Sequence, residues 1–99
     1  MLEIGFASSG EVRLAGRLDA VEAPTALAFL EKVEGTVAVD CTALEYISSA
    51  GLGVLLKTQK RLAGAAGGLR LVGVTPHIRD IFKYSGFDQI FQIEPARPQ

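Results

Sequence analysis

Two adjacent hydroxyl side chains, Ser48 and Ser49, stand where a long amphipathic helix is predicted to begin. A helix N-terminus offers unpaired backbone N–H groups and a partial positive charge, so it can hold a phosphoryl group attached nearby. We expect the N–H groups of Gly51 and Leu52 to point toward such a group. The chemistry that this spacing favours is acceptance of a phosphoryl group on Ser49 or, alternatively, on Ser48.

A structural role also accounts for these residues. Serine is favoured at the N-cap of a helix, where it contributes ~1 kcal/mol, and a cap can coexist with a modification site. Gly51 and Gly53 permit either close helix packing or close approach of a partner, and the position of Gly53 on the polar side favours the partner. Ser49 lacks a credible histidine partner, so we do not expect it to be a catalytic nucleophile.

The segment before the two serines predicts a strand followed by a loop. Residues 36–39 form a short apolar run of the kind found in the middle of a covered sheet, and this run ends at Asp40. We expect a loop from there to Ser49. The helix that follows has its apolar residues on one face, and the glycines from Gly64 onward offer termination points.

The rest of the chain predicts strands that alternate with helices. The pattern predicts a hairpin from residues 2–6 and 12–16, a helix over residues 23–33, a strand over residues 69–72, a helix over residues 76–85 and a last strand near residues 90–93. We expect residues 94–99 to form a frayed tail. Because parallel strands need crossover connections, the sequence predicts a single α/β (α+β) domain over residues 1–99, with a mainly parallel sheet and an N-terminal hairpin.

Polar side chains follow several of the predicted strands. Asp19, Asp40 and Thr75 each come directly after a strand and before the next element. Ligand sites in parallel sheets lie beyond the carboxyl ends of the strands. We therefore expect these three side chains to converge with Ser49 on one face of the domain.

The composition limits the class of partner. Ten basic and eleven acidic residues give a formal net charge of -1, which supplies no broad field for nucleic acid or an anionic membrane. Cys41 is the only cysteine and we expect it to be a small buried side chain, while the single histidine, His77, lacks a second ligand for a metal. We find neither a secretory signal pattern nor a membrane-spanning run, and we expect a cytoplasmic protein without metal, cofactor or intrinsic catalysis.

Several stretches resemble the landmarks of STAS domains, in particular those of the bacterial anti-sigma factor antagonists. They are Gly16-Arg17-Leu18-Asp19, the strand ending Val39-Asp40, the segment from Leu44 to Gly53, and Thr75-Pro76 with Phe82 and Gly86-Phe87. The resemblance covers nearly the whole chain. It implies a STAS-like fold, with a four- to five-stranded mainly parallel mixed sheet and helices packed largely on one face.

The resemblance also implies a function. In that family a serine kinase that is itself the anti-sigma factor phosphorylates the antagonist, and the matching position here is Ser49. The unphosphorylated antagonist sequesters the anti-sigma factor, the phosphorylated form releases it, and a serine phosphatase resets the switch. The partner-binding surface implied by the resemblance consists of Asp19, Asp40, Ser48, Ser49, Ala50, Gly51, Leu52, Gly53 and Thr75.

Three features depart from the family pattern. Ser48 stands where many antagonists have an aspartate, Ala50 replaces a second hydroxyl, and only a short tail follows the last predicted strand where relatives commonly end in another helix.

Two other functions stay open. One is a non-catalytic STAS adaptor or scaffold subunit of a membrane-associated transport or signalling complex. The other is a nucleotide-binding module that uses the helix entrance as an anion site.

Overall fold

The computed structural model describes residues 1–95, which form five strands, three α-helices and one short 3-10 helix. The strands are β1 (Leu2–Phe6), β2 (Val12–Leu18), β3 (Thr36–Ile47), β4 (Gly68–Val74) and β5 (Gln92–Pro95). The helices are α1 (Ala23–Leu30), α2 (Ser49–Ala63) and α3 (Pro76–Tyr84), and the 3-10 helix spans Phe87–Gln89. Gly86 introduces the 3-10 helix with a φ of 75°, a left-handed conformation that glycine adopts without strain.

The strands form one sheet in the order β1-β2-β3-β4-β5. β1 and β2 are antiparallel, and the other three neighbouring pairs are parallel. Each parallel pair is connected through one helix, because a strand that returns in the same direction needs a crossover. The predicted fold class, a mainly parallel mixed sheet with an N-terminal hairpin, is confirmed.

The core lies between the three helices and one face of the sheet. Side chains from β2, β3 and β4 meet side chains from all three helices in one cluster, whose fully buried members include Leu14, Leu18, Leu30, Val39, Leu55, Leu71, Ile78 and Phe82. The intervening residues of the same strands, among them Arg13, Asp40 and Arg70, are half-buried or exposed. The helices therefore pack on one face, as predicted.

The central strand β3 is longer than predicted. It continues through the expected loop to Ile47, so the prediction of a loop after Asp40 was wrong. Its pairing with β4 ends at Asp40, and beyond that point it pairs with β2 alone. Two irregularities in the β2–β3 register each leave an extra residue on β3, so the buried positions Cys41, Leu44 and Ile47 recur every third residue. The alternation of buried and exposed residues by which a strand is recognised in a sequence is therefore lost in this part of β3.

Two other boundaries differ from the prediction. α1 ends at Leu30, and Val33, which was expected on that helix, packs into the core from the segment that follows. Glu94 and Pro95 belong to β5, so the predicted frayed tail was wrong for these two residues. Glu94 is held there by an ion pair with Arg70 at 2.8 Å. Residues 96–99, the remainder of the predicted tail, lie outside the described residues.

Candidate functional site

Ser48 is the N-cap of α2. Its backbone is extended, with φ of -90° and ψ of 174°, and its Oγ accepts a hydrogen bond from the N–H of Gly51 at 3.3 Å. The N–H of Leu52 donates to the Ser48 carbonyl at 2.9 Å, and the N–H of Ser48 itself donates to the Leu18 carbonyl at 2.9 Å. The half-buried Ser48 thus joins α2 to the end of β2. The expectation that the N–H groups of Gly51 and Leu52 face a phosphoryl group was wrong, because Ser48 occupies both.

Ser49 differs from Ser48 in both exposure and bonding. It is the first residue of α2, and its side chain is exposed. Among the hydrogen bonds of residues 1–95, none involves the Ser49 hydroxyl or the N–H groups of Ser49 and Ala50. The first turn of α2 contains no acidic residue that would offset the positive end of the helix dipole. The donors that remain available to an anion are therefore those of Ser49 and Ala50.

The two glycines of this turn have different surroundings. Gly51 is buried, and a Cβ built on it would lie 2.6 Å from the Leu18 carbonyl oxygen and 2.9 Å from Cγ1 of Ile47. Gly53 has nothing within 4 Å of its Cβ position. Leu52, between them, is 4% exposed. Gly51 and Leu52 therefore pack α2 onto the sheet and do not form part of the exposed surface, whereas Gly53 is half-buried and has room for a side chain.

Asp19 is the nearest of the predicted acidic residues to the two serines. Leu18 pairs with Ile47 across the parallel strands β2 and β3, so Asp19 and Ser48 are the next residues along two adjacent strands. The Oδ1 atom of Asp19 accepts a hydrogen bond from the N–H of Glu22 at 3.1 Å, and its carbonyl accepts one from the N–H of Ala23 at 2.9 Å. Asp19 thereby shapes the turn that leads into α1.

Asp40 does not lie beside the serines. Asp40 lies seven residues before the end of β3, and because of the two extra residues this stretch runs beside five residues of β2, which corresponds to roughly 17 Å of extended strand. Its Oδ1 atom accepts hydrogen bonds from the N–H and Oγ1 of Thr42, at 2.9 and 2.6 Å. Asp40 is also the last residue of β3 to pair with β4, and Thr75 follows the end of β4. The predicted convergence on Ser49 was therefore wrong for Asp40, because β3 continues for seven residues beyond it, and it stays a prediction for Thr75.

Thr75 stands in the cap position of α3, and Pro76 occupies the first turn, where its missing N–H costs nothing. The side chain of Thr75 makes no capping hydrogen bond. The start of α3 is instead favoured by the fixed backbone of Pro76 and by the hydrogen bond from the N–H of Arg79 to the Thr75 carbonyl at 2.8 Å. Thr75 thus has a clear backbone role and no demonstrated side-chain role.

Val21, two residues after Asp19, was not predicted to be exposed. It is 84% exposed, in the turn that Asp19 shapes. An apolar residue in a polar turn, outside the periodic pattern of either neighbouring element, was the sequence feature that could have identified it. Nearby, Arg17 lies over the ring of Tyr46, 4.4 Å from the centroid, and links the ends of β2 and β3.

Cys41 does not form a second reactive site. Cys41 is buried, and this burial, with a smaller contribution from Asp40, raises the pKa of its thiol to about 12. A thiol of that kind is not available as a nucleophile near neutral pH.

Residues 1–95 contain no group of three or more His, Cys, Asp or Glu side chains that could hold a metal ion. Within the same residues, no helix has the length and apolar character needed to cross a membrane.

Comparison with known proteins identifies the family. The family model described as Mlab, STAS domain, matches residues 4–94. BtrV of Bordetella bronchiseptica, described as an anti-sigma factor antagonist, is 43% identical over 68 residues, which are 69% of this chain and 59% of that protein. The chain therefore spans less than two thirds of this relative.

Solved structures share the fold. An anti-sigma factor antagonist from Mycobacterium paratuberculosis superposes with a TM-score of 0.77 at 24% identity, over 96% of this chain and 85% of that one. The Bacillus cell fate determinant SpoIIAA, in its phosphorylated form, superposes with a TM-score of 0.66 at 20% identity, over 94% of this chain and 90% of that one. Since the family match extends from β1 to β5, the chain belongs to the STAS domain family.

Proposed function

We propose that this STAS domain is an anti-sigma factor antagonist whose binding to an anti-sigma factor kinase is controlled by phosphorylation of Ser49. The observation that carries the proposal is the exposed hydroxyl of Ser49, next to two backbone N–H groups that no other described group occupies. The similarity to BtrV supports an antagonist role, and SpoIIAA, which has the same fold, has been solved in a phosphorylated form.

The two serines differ in the hydrogen bonds that their hydroxyl groups make within the domain. The Ser48 oxygen accepts the Gly51 N–H, so a phosphoryl group on Ser48 would have to displace the cap of α2. Ser49 has no such bond and is more exposed. Ser49 is therefore the preferred acceptor, and Ser48 serves to hold α2 in the position that presents Ser49.

In the proposed reaction the bound kinase supplies ATP and the catalytic groups, and this domain supplies only the acceptor. The Ser49 oxygen forms a bond to the γ-phosphorus of ATP, ADP leaves, and the hydroxyl proton passes to the kinase or to water. The phosphoryl group brings about -1.5 to -2 charges and three strong acceptors. The N–H groups of Ser49 and Ala50 and the helix dipole stabilise that charge, so the domain needs no refolding to carry it.

Release of the kinase follows because the charge of the phosphoryl group is costly to bury in the interface between the two proteins. A dianion that is desolvated without a partner costs several kcal/mol, and about 1.4 kcal/mol already weakens an affinity tenfold. A kinase surface that fits the neutral hydroxyl therefore binds the phosphorylated domain weakly and releases it. A serine phosphatase would restore binding by returning the hydroxyl.

The proposal is tested by incubating the domain with its cognate anti-sigma factor kinase and ATP, and by mapping the phosphopeptides. We expect one phosphoryl group on Ser49, none on Ser49→Ala, and continued phosphorylation of Ser48→Ala. Ser49→Ala should still bind the kinase, whereas Ser49→Asp should bind more weakly. Phosphate that persists in Ser49→Ala would contradict the assignment and direct attention to Ser48 or Thr42.

The same experiment separates the two other functions. Stable binding of a protein partner without phosphoryl transfer would indicate an adaptor or scaffold module. Binding of nucleotide by the isolated domain would indicate an anion site at the start of α2 that acts by itself. Neither outcome is expected, because the exposed hydroxyl has no role in an adaptor and no basic side chain stands in the first turn of α2 to hold a nucleotide.

A further inference from the structure

The two outer strands of the sheet, β1 and β5, differ in how well they are protected against pairing with a further strand. β5 has four residues, ends in Pro95 and pairs irregularly with β4, and each of these features discourages the addition of another strand. β1 is longer, contains no proline and pairs with β2 without a bulge. Within residues 1–95 no strand pairs with the outer edge of β1, so this edge is open to an added strand.

The hydrogen bonds between β1 and β2 show which residues of β1 face the open edge. In an antiparallel pair, residues that bond to the neighbouring strand alternate with residues whose N–H and C=O groups point away from it. The N–H of Ala7 donates to the Glu11 carbonyl at 2.8 Å, and the Met1 carbonyl accepts from the N–H of Arg17 at 3.1 Å. The odd-numbered residues therefore bond to β2. The residues of β1 whose backbone groups point outward are Leu2, Ile4 and Phe6.

The side chains of these three residues leave apolar surface at the same edge. Leu2 and Ile4 are half-buried, and Phe6 is 56% exposed. Phe6 packs on the domain through Phe29 of α1, whose ring centroid lies 4.9 Å from its own. More than half of the Phe6 surface thus stays accessible although the residue lies in a strand.

Gly5 lies within this edge strand without a structural need for glycine. Its φ is not positive, and a Cβ built on it would have nothing within 4 Å. Glycine weakens a strand, and inside one it often marks a place where another backbone approaches closely. On β2 it is paired with Arg13, whose side chain is exposed on the face that the helices do not cover. Gly5 therefore leaves a gap beside Arg13.

A second copy of β1 fits this edge. We infer that two copies of this chain associate by antiparallel pairing of their β1 strands about a twofold axis at Ile4, which joins the two sheets into one. Ile4 then faces Ile4 of the second copy, and Leu2 faces Phe6 of the second copy, so the outward backbone groups bond in pairs. The accessible surface of Phe6 is covered by the aliphatic side chains of the other strand.

The charges on the opposite face are complementary in the same register. Glu3 of one copy faces Gly5 of the other, and that Gly5 is paired with Arg13. Because Gly5 has no side chain, Glu3 and Arg13 face each other across two strand spacings, about 9.5 Å between Cα atoms, which their long side chains can bridge. The twofold axis produces two such ion pairs. A register centred on Glu3 would instead place two like charges opposite each other, which is unfavourable.

This interface is separate from the proposed phosphorylation site. β2 lies between β1 and β3, and Ser49 follows β3. The inference therefore does not depend on the proposed function, and its failure would leave the assignment of Ser49 intact.

Self-association is tested by sedimentation velocity of the full chain at concentrations from about 10 μM to about 1 mM, because a pair of five-residue strands makes a small and weak interface. We expect the mass to rise with concentration from that of the 10.5 kDa chain toward twice that value. A mass that stays at one chain over the whole range would overturn the inference.

The register is tested by crosslinking two cysteine variants. In the proposed dimer the Cα atoms of Ile4→Cys lie about 5.5 Å apart, whereas those of Phe6→Cys lie about 14 Å apart. A bismaleimide whose reach lies between these distances should link Ile4→Cys into a covalent dimer and leave Phe6→Cys unlinked, although Phe6 is the more exposed residue. The unaltered chain, in which Cys41 is buried, gives the background. Urea denaturation checks that both variants fold, and equal linking of the two folded variants would overturn the register.

The ion pairs are tested by reversing charges. Glu3→Arg should raise the Kd of the dimer about tenfold, because one substitution reverses both pairs of a symmetric interface. Arg13→Glu should act in the same way, and the two substitutions together should restore association. Glu45→Arg, at an exposed position of β3, makes the same change in net charge and should alter the Kd less than about twofold. A dimer that tolerates Glu3→Arg as well as Glu45→Arg would use another surface, and the inference would be overturned.

Discussion

The two faces of the first turn of α2 have opposite roles. On the inward side, Ser48 caps the helix and Gly51 lets it approach β2, and neither residue can be changed without a cost to the fold. On the outward side, Ser49 and Gly53 make no contact that the monomer requires. Residues of the same type, one or two positions apart, are thus divided between structure and recognition. The comparison shows that residue type alone does not identify a functional site, whereas the surroundings of each residue do.

The largest effect is expected for Gly51→Ala. Its Cβ would lie 2.6 Å from the Leu18 carbonyl oxygen, 2.8 Å from Cγ of Leu18 and 2.9 Å from Cγ1 of Ile47, so α2 would have to move away from β2. We expect the free energy of unfolding, measured in urea, to fall by roughly 2–3 kcal/mol. A fall of less than about 0.5 kcal/mol would show that the inward face is not tightly packed.

A smaller loss is expected for Ser48→Ala. The substitution removes the oxygen that accepts the Gly51 N–H at 3.3 Å, and the loss of a serine N-cap typically costs about 1 kcal/mol. Chemical denaturation gives the value. Ser48→Asp is the matched control, because a carboxylate can also cap the helix and should retain the stability. Equal destabilisation by alanine and aspartate would mean that capping is not the role of Ser48.

Gly53→Ala should change stability in the other direction. Alanine favours the helix by up to about 1 kcal/mol over glycine, and nothing within 4 Å opposes the added methyl group. We expect a rise of about 0.5–1 kcal/mol in the free energy of unfolding, together with a higher Tm. The opposite signs of Gly51→Ala and Gly53→Ala would be the clearest support for the division of α2 into two faces. A loss of stability in Gly53→Ala would remove it.

The smallest effect on stability is expected for Ser49→Ala. The hydroxyl is exposed and makes no hydrogen bond within residues 1–95, so the free energy of unfolding should stay within about 0.5 kcal/mol of the unaltered value. Thermal and urea denaturation should both show this. A larger loss would indicate that Ser49 supports the fold, and its assignment as a freely presented acceptor would then have to be abandoned.

The sequence predicted the element order, the hairpin and the start of α2 because each has a local signature. The proline in the first turn of α1 and of α3, the glycine after α3 and the serine before α2 mark element boundaries through backbone geometry. These signatures depend on neighbouring residues only, so they can be read without knowledge of the tertiary structure. The predicted mainly parallel sheet with an N-terminal hairpin followed from them, whereas packing of the helices on one face was implied by the resemblance to STAS domains.

The parts that could not be predicted depend on contacts between distant residues. The length of β3 was missed because its two irregularities lie in the pairing with β2, which the sequence of β3 alone does not contain. The predicted position of Asp40 relative to Ser49 was consequently wrong. The different surroundings of Gly51 and Gly53 depend on where Leu18 and Ile47 lie, and the exposure of Val21 depends on the turn made by Asp19.

β3 continues to Ile47, beyond its last pairing with β4 at Asp40, and this has a consequence for which sequence changes the domain can accept. The surroundings of Ser49 are supported by the ends of β2 and β3 and by the start of α2, whereas β4 pairs with β3 only as far as Asp40. Substitutions at the exposed residues of β4 therefore leave the strand pairing next to Ser49 unchanged. The sequence of β4 can thus drift at its exposed positions while the ends of β2 and β3 keep Ser49 in place, provided that the shared core is kept.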